Sequence, residues 1–118
     1  MSLVAVDVGG DIFGAIVLET PASAPYLKSG HEVSILFKET EVSLAKNLTG
    51  AISIRNRCQA RVNKIQPHEI LSSVVLDYKG KEIVSIIPTR SLNQLGLKAG
   101  EDIEWLVKTN EVSLWPTT

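Results

Sequence analysis

An internal repeat at an offset of 70 residues constrains the fold of this chain more than any other feature of its sequence. Residues 4–45 align with residues 74–115 without a gap, and 13 of the 42 aligned pairs are identical. The text LKSGHEVSILFKETEVSL in the first copy matches LKAGEDIEWLVKTNEVSL in the second. Such a repeat marks one structural unit that is used twice. The sequence therefore predicts a partial first unit over residues 1–46 and a complete second unit over residues 47–118.

Both copies show the alternation of polar and apolar residues that is typical of short β-strands. A hairpin is predicted around the Gly9-Gly10 turn, and an equivalent hairpin is predicted over residues 73–87. A brief helix is predicted over residues 89–96, whereas prolines at 21 and 25 shorten or break its counterpart in the first copy. Each copy then continues with a strand, a reversal and a final short strand.

One predicted strand occurs only in the second copy. Residues 52–65, ISIRNRCQARVNKI, form the longest alternation, and Cys58 is expected to face the core. The counterpart of this strand would lie before residue 1, so the first unit is expected to leave an edge that a partner chain or a longer protein covers. We predict an all-β fold with one or two short helices, built as tandem OB-like barrels of which the first lacks its first strand.

The distribution of charge indicates an anion site although the net charge is −1. Twelve basic and 13 acidic residues argue against a generally basic nucleic-acid binder. Residues 42–68, however, contain no acidic residue. The basic residues of this stretch are Lys46, Arg55, Arg57, Arg61 and Lys64.

The segment Ser53-Ile54-Arg55-Asn56 combines short polar groups with a planar guanidinium, and its backbone N–H groups can form an anion nest. Lys38 and Lys108 end equivalent strands, which suggests a site used twice. Ser91 lies near the start of the short helix, where free N–H groups favour anions. The residues alone also allow plainer roles: a solvated strand edge, two strand-end lysines and a helix cap.

Other kinds of site have little support in the sequence. His31 and His68 do not have the spacing of metal ligands, so we expect no metal site. The single Cys58 excludes an internal disulfide and has no local partner for nucleophilic catalysis. We find no phosphate-binding loop, no Ser/His/Asp signature, no signal peptide and no run of 18 apolar residues. We therefore expect a non-enzymatic, cytoplasmic chain.

ISIRNRCQARV resembles the Ser-x-Arg-Asn strand that opens the molybdate- and tungstate-binding domains of the Mop, or TOBE, family. SIIPTRSLNQLGLKAGEDIEWLVKTNEVSL resembles the rest of that domain, and the resemblance covers residues 4–115. It implies tandem OB-like barrels, often dimeric, that bind an oxyanion between adjacent units. In the first copy Pro21 stands where the second has serine. The resemblance implies the site residues Ser53, Ile54, Arg55, Asn56, Ser91, Lys108 and Thr109, with Lys38 as the match in the first copy.

The resemblance is strongest to the C-terminal regulatory domain of a molybdate-transport ATPase. It implies molybdate or tungstate as ligand, no catalytic cofactor, a homodimer and a location peripheral to the inner membrane. Contact with a membrane permease would come only through the parent transporter, and no direct contact with nucleic acid is expected. The start inside a repeat favours a fragment. The alternatives are the sensor domain of a molybdate-responsive transcription regulator, a storage protein, an OB-type nucleic-acid-binding module and a dimerisation module without ligand.

Overall fold

A computed structural model describes residues 1–20 and 22–117, which form nine β-strands, one α-helix and three short 3-10 helices. The predicted all-β class is confirmed. Within the described residues, no helix has the length and apolar character needed to cross a membrane. The strands are β1 (Ser2–Val8), β2 (Asp11–Val17), β3 (Val33–Leu36), β4 (Ser43–Ala45), β5 (Asn56–Gln66), β6 (Leu71–Tyr78), β7 (Lys81–Pro88), β8 (Asp102–Val107) and β9 (Ser113–Pro116). The α-helix α1 is Thr89–Leu95, and the 3-10 helices are Pro25–Leu27, Glu39–Glu41 and Thr109–Glu111.

The repeat is visible in the order of these elements. Strands β1 to β4 recur 70 residues later as β6 to β9, and the 3-10 helices at 39–41 and 109–111 correspond in the same way. Strand β5 has no counterpart among the described residues of the first copy. The division into units at residues 46 and 47 stays a prediction.

The two hairpins meet at their tips. Gly9 and Gly10 have φ angles of 57° and 101°, so the β1–β2 turn uses the left-handed region that glycine adopts at little cost. Lys79 has a φ of 51° at the equivalent turn, and its Nζ donates to the carbonyl of Gly9 at 2.6 Å. The same Nζ lies 3.1 Å from the carboxylate of Asp11, which also accepts a hydrogen bond from the Tyr78 hydroxyl. These contacts join the two copies at one end of the molecule.

The last strand of each copy pairs with the other copy. The main sheet has the order β4-β8-β5-β6-β7, so β4 of the first copy lies at the edge of the second copy's sheet. Strand β9 of the second copy pairs in turn with β3 of the first. The registers correspond, because Leu44 lies opposite Trp105 and Leu114 lies opposite Ile35. The two copies are thus joined by a reciprocal exchange of strands.

Both copies contribute to one hydrophobic core. Trp105 is 2% exposed, and its ring lies 5.1–5.6 Å, centroid to centroid, from the rings of Phe13, Phe37 and Tyr78. Cys58 is buried as predicted, and burial raises the pKa of its thiol to about 11. Trp115 is 61% exposed and lies outside this core. Its neighbour on β3 is Ser34, which is itself exposed.

The structure corrects one predicted element boundary and confirms another. The long strand begins at Asn56 instead of residue 52, so residues 53–55 lie in a bend before it. The helix ends where predicted, because Gly96 adopts φ 59° and ψ 39° and its N–H donates to the carbonyl of Leu92. In the first copy the described residues at the equivalent positions form no α-helix, and the 3-10 helix Pro25–Leu27 begins where that segment ends. Pro21, predicted to stand in the place of Ser91, lies outside the described residues.

Candidate functional site

Asn56 fixes the start of β5 against the first copy. Its side chain is 2% exposed, its Oδ1 accepts from the N–H of Gly14 at 2.7 Å, and its Nδ2 donates to the carbonyl of Gly14 at 2.9 Å. A buried amide with both ends satisfied is rigid, since losing either partner leaves an unpaired polar group. The bend at residues 53–55 is therefore anchored directly beside β2.

Gly14 lets two side chains approach the backbone of β2. A Cβ atom at this position would lie 3.1 Å from Cγ2 of Thr109 and 3.5 Å from Cδ of Arg55. Space favours glycine here and backbone conformation does not, because an added Cβ would crowd Thr109 while the φ angle of Gly14 lies outside the left-handed region. An isolated glycine within a strand pattern is a known sign of such a close approach. Gly14 was not among the predicted site residues, although a lone glycine in the strand pattern of residues 11–17 was a signal for it.

Three of the five basic residues within residues 42–68 form ion pairs, and two do not within the described part of the chain. Lys46, Arg57 and Arg61 pair with carboxylates that precede or belong to β8, at 3.1 Å to Glu101, 3.0 Å to Glu104 and 3.7 Å to Asp102 respectively. Within residues 1–20 and 22–117, Arg55 and Lys64 have no carboxylate oxygen within 4 Å. The acid-free stretch therefore leaves one unpaired arginine, at the entry to β5.

Free hydrogen-bond donors surround Arg55. Ser53 is exposed, Ile54 is half-buried, and in the described part of the chain the N–H groups of residues 53–55 donate to no other residue. Thr109 begins the 3-10 helix that follows β8, and Asn56 lies opposite Val107. Lys108 lies between Val107 and Thr109 in the chain. It is exposed and has no carboxylate partner among the described residues. Residues 53–55, Lys108 and Thr109 thus gather at one end of the sheet.

Lys38 occupies the equivalent position in the first copy, where the surroundings differ. It is exposed, and its backbone N–H donates to Oε1 of Glu41 at 3.1 Å. The described residues supply no segment beside it that corresponds to residues 53–55. Glu111, the counterpart of Glu41, lies next to it, so burial and the neighbouring carboxyl raise the pKa of Glu111. In the described part of the chain, the turn that follows Lys38 lies beside the turn that follows Lys108, because Glu41 neighbours Glu111.

Ser91 lies at the other end of the second copy. Helix α1 begins directly after β7, and the last residue of β7 pairs with Leu71, past the C-terminal end of β5. Arg55, in contrast, lies just before the N-terminal end of β5. An eleven-residue strand separates these ends, a distance of roughly 30 Å at about 3.3 Å per residue. Ser91 is half-buried and does not join the residues around Arg55 within one chain.

The model of the TOBE domain family matches residues 52–114, which is more than half of the chain and includes the whole of β5 to α1. The chain belongs to the TOBE domain family. This TOBE domain is 32% identical over 111 residues to the molybdenum import ATP-binding protein ModC of Brucella abortus (strain 2308), and equally to that of Brucella suis biovar 1 (strain 1330). The alignments cover 93% of this chain and 29% of each ModC, so the chain spans less than a third of those relatives.

A solved structure extends the similarity of this TOBE domain to both copies. It is that of ModG, described as a cytoplasmic molybdate-binding protein and determined with molybdate bound. The TM-score is 0.83 at 31% sequence identity, and the match covers 92% of this chain and 78% of ModG. The tandem arrangement of OB-like units that the repeat predicted is therefore confirmed at the level of the fold.

Proposed function

We propose that this TOBE domain binds a tetrahedral oxyanion, molybdate or tungstate, through Ser53, Ile54 and Arg55 together with Lys108 and Thr109. The observation that carries the proposal is the position of Arg55: its side chain lies beside Thr109, and within residues 1–20 and 22–117 it has no carboxylate partner and adjoins three backbone N–H groups without an acceptor. A dianion that leaves water needs several donors and at least one cation. Charge-assisted hydrogen bonds contribute roughly 1.5–3 kcal/mol each, so a few of them support micromolar binding.

The names of similar proteins support molybdate as the anion. ModC is described as a molybdenum import ATP-binding protein and ModG as a molybdate-binding protein. In the proposed site Asn56 is a positioning residue, because its amide is buried and both of its ends bond to Gly14. The residues that contact the anion are then the exposed or half-buried groups around it.

Ser91 and Lys38 would enter the site from a neighbouring unit. Ser91 lies at the opposite end of the second copy, so a site that includes it is completed by a second molecule in a homodimer. The same requirement applies to Lys38, which has no segment like residues 53–55 beside it. Units 1–46 and 47–118 would then meet at each site, and binding would couple to the packing of the units.

The similarity to ModC supports a regulatory role in a molybdate ABC transporter. In that role this TOBE domain is the cytoplasmic part of the ATP-binding protein that senses the anion. It would reach the membrane permease only through the rest of the parent protein. The site itself has no need of a catalytic group, because its donors bind and release the anion unchanged.

Isothermal titration with molybdate, tungstate, sulfate and phosphate tests the proposal on the intact chain. We expect saturable binding of molybdate or tungstate, a rise in melting temperature with either anion, and loss of both effects in Arg55→Ala and Lys108→Ala. Arg61→Ala is the matched control, since it removes the same charge from the same segment at an exposed position paired with Asp102. No thermal shift at millimolar molybdate or tungstate, or an equal loss in Arg61→Ala, would contradict the proposal.

A further inference from the structure

The 3-10 helices that follow β3 and β8 face each other across the junction of the two copies. On one side of them, Leu36 of β3 lies opposite Ser113 of β9. On the other side, Ser43 of β4 lies opposite Leu106 of β8, which continues the same register. Strands that pair in one register before and after two turns bring those turns face to face. The last residue of each helix is a glutamate, and both glutamates therefore lie at this junction.

The two glutamates, Glu41 and Glu111, form a carboxyl pair. Both are half-buried, and their side chains lie within hydrogen-bonding reach of each other. Oε1 of Glu41 also accepts from the backbone N–H of Lys38 at 3.1 Å. In the described part of the chain, no side-chain nitrogen of a lysine, arginine or histidine lies within 4 Å of either carboxylate. Two carboxyls this close, without a counter-ion, favour sharing one proton over ionising together.

Few other charges surround this pair. Strand β7 packs against the first of the two turns and β2 packs against the second. Neither strand places a charge beside the turns, because the titratable residues of both lie at the hairpin tips and residues 83–87 and 12–17 contain none. The charged side chains around the pair therefore belong to the turns and to the neighbouring bend: Lys38, Glu39, Lys108 and Arg55.

Lys108 connects the carboxyl pair to the proposed anion site. It precedes the helix that Glu111 ends, and its positive charge opposes the rise in the pKa of Glu111 that burial and Glu41 cause. The same ammonium is one of the proposed donors to the oxyanion, together with Thr109 of that helix. A bound dianion adds negative charge beside Glu111 and offsets the effect of Lys108. Both changes stabilise the protonated carboxyl.

We infer that the Glu41–Glu111 pair takes up a proton when the oxyanion binds, so that the affinity for the anion rises as the pH falls. The coupling presupposes that the anion binds through residues 53–55, Lys108 and Thr109, as proposed above. Linkage is reciprocal, so a proton on the pair strengthens anion binding by the same factor as the anion strengthens proton binding. At a pH where both carboxyls are ionised, the pair repels the anion and the affinity reaches its lower limit.

Calorimetric titration of the 118-residue protein with molybdate, at several values between about pH 5.5 and about pH 8, tests the coupling. Titrations in two buffers of different ionisation enthalpy also count the protons that are taken up. We expect the affinity to fall at least about threefold across this range, and a fraction of a proton to be taken up per anion at its acidic end. Glu111→Gln should lose both effects and bind more tightly than the wild type near pH 8, because its neutral amide stands for the protonated carboxyl. Glu39→Gln, at an exposed position of the first turn, is the charge-matched control and should keep both.

Three outcomes would overturn the coupling and leave the proposed function standing: an affinity independent of pH, proton uptake that persists in Glu111→Gln, or loss of the pH dependence in Glu39→Gln as well. Protonation of molybdate itself belongs to the second outcome, since it would occur equally in both proteins. Absence of molybdate binding by the wild type would overturn the proposed function and the coupling together. Glu41→Gln removes the other carboxyl of the pair and is also expected to lose the proton uptake, so it decides the question if Glu111→Gln does not fold.

Discussion

The side-chain amide of Asn56 makes two hydrogen bonds to the backbone of Gly14 across the junction of the two copies. Its Oδ1 accepts from the N–H of Gly14 at 2.7 Å, and its Nδ2 donates to the C=O at 2.9 Å. This contact places the bend at residues 53–55 and joins β5 to β2. It is also fully buried, since Asn56 is 2% exposed. The stability of the junction and the geometry of the proposed site therefore depend on the same amide.

Asn56→Ala is expected to destabilise the protein by about 2–3 kcal/mol, because it leaves the N–H and C=O of Gly14 buried without partners. Urea unfolding followed by circular dichroism measures the change in the free energy of unfolding. Asn63→Ala, at an exposed position of the same strand, is the control and is expected to stay within about 0.5 kcal/mol. Equal effects of the two substitutions would show that the contact with Gly14 contributes nothing particular.

Gly14→Ala is expected to weaken oxyanion binding by about tenfold. The added Cβ would lie 3.1 Å from Cγ2 of Thr109, so Thr109, which lies beside Arg55, must shift by a few tenths of an ångström. Calorimetric titration with molybdate measures the affinity, and Ile12→Ala at an exposed position of β2 is the control. An unchanged affinity in Gly14→Ala would show that the close approach of Thr109 to Gly14 does not affect oxyanion binding.

Glu111→Gln is expected to raise the melting temperature at pH 7 by roughly 1–3 °C. Burial and Glu41 raise the pKa of Glu111, so its contribution to stability is present below the ordinary glutamate pKa and is lost as the pH rises through the raised value. The variant should therefore gain stability at pH 7 and show little change near pH 4. Thermal unfolding across this range measures it, with Glu39→Gln on the matching turn as the control. A gain of equal size at both pH values would contradict the assignment.

Asp11→Asn is expected to lower the melting temperature at pH 7, which is the opposite of the effect expected for Glu111→Gln. Hydrogen bonds from Tyr78 and Lys79 lower the pKa of Asp11, so its contribution is present at neutral pH and is lost as the pH falls through the lowered value. The variant should melt below the wild type at pH 7, and the difference should shrink as the pH approaches 3. Glu82→Gln, at an exposed position near the same hairpin, is expected to show no such trend. A difference that grows in acid would contradict the prediction.

Much of the local structure could be predicted from the sequence because each copy carries its own strand and turn signals. The pairing of the final strands could not. Residues 41–44 and 111–114 have the same sequence, Glu-Val-Ser-Leu, so nothing local tells β4 whether to pair with β3 or with β8. The exchange is decided by how the two copies pack against each other. That information is spread over the whole core around Trp105.

The candidate site was predictable in part for a similar reason. The acid-free stretch of residues 42–68 pointed to a cluster of cations, yet most of them are neutralised by carboxylates next to or within β8. Only the register of β5 against β8 shows which arginine is left over. Arg55 is singled out because it precedes the first paired residue of the strand, Asn56.

The reciprocal pairing of β4 with β8 and of β9 with β3 makes neither copy a separable module. A protease cut between residues 47 and 52 would leave two pieces that stay interlocked, each closing the other's sheet. A gene that kept only one copy would encode a fold without its closing strand. Two such single-copy molecules would have to trade their last strands to regain it, so the tandem chain is equivalent to a domain-swapped dimer joined in one polypeptide.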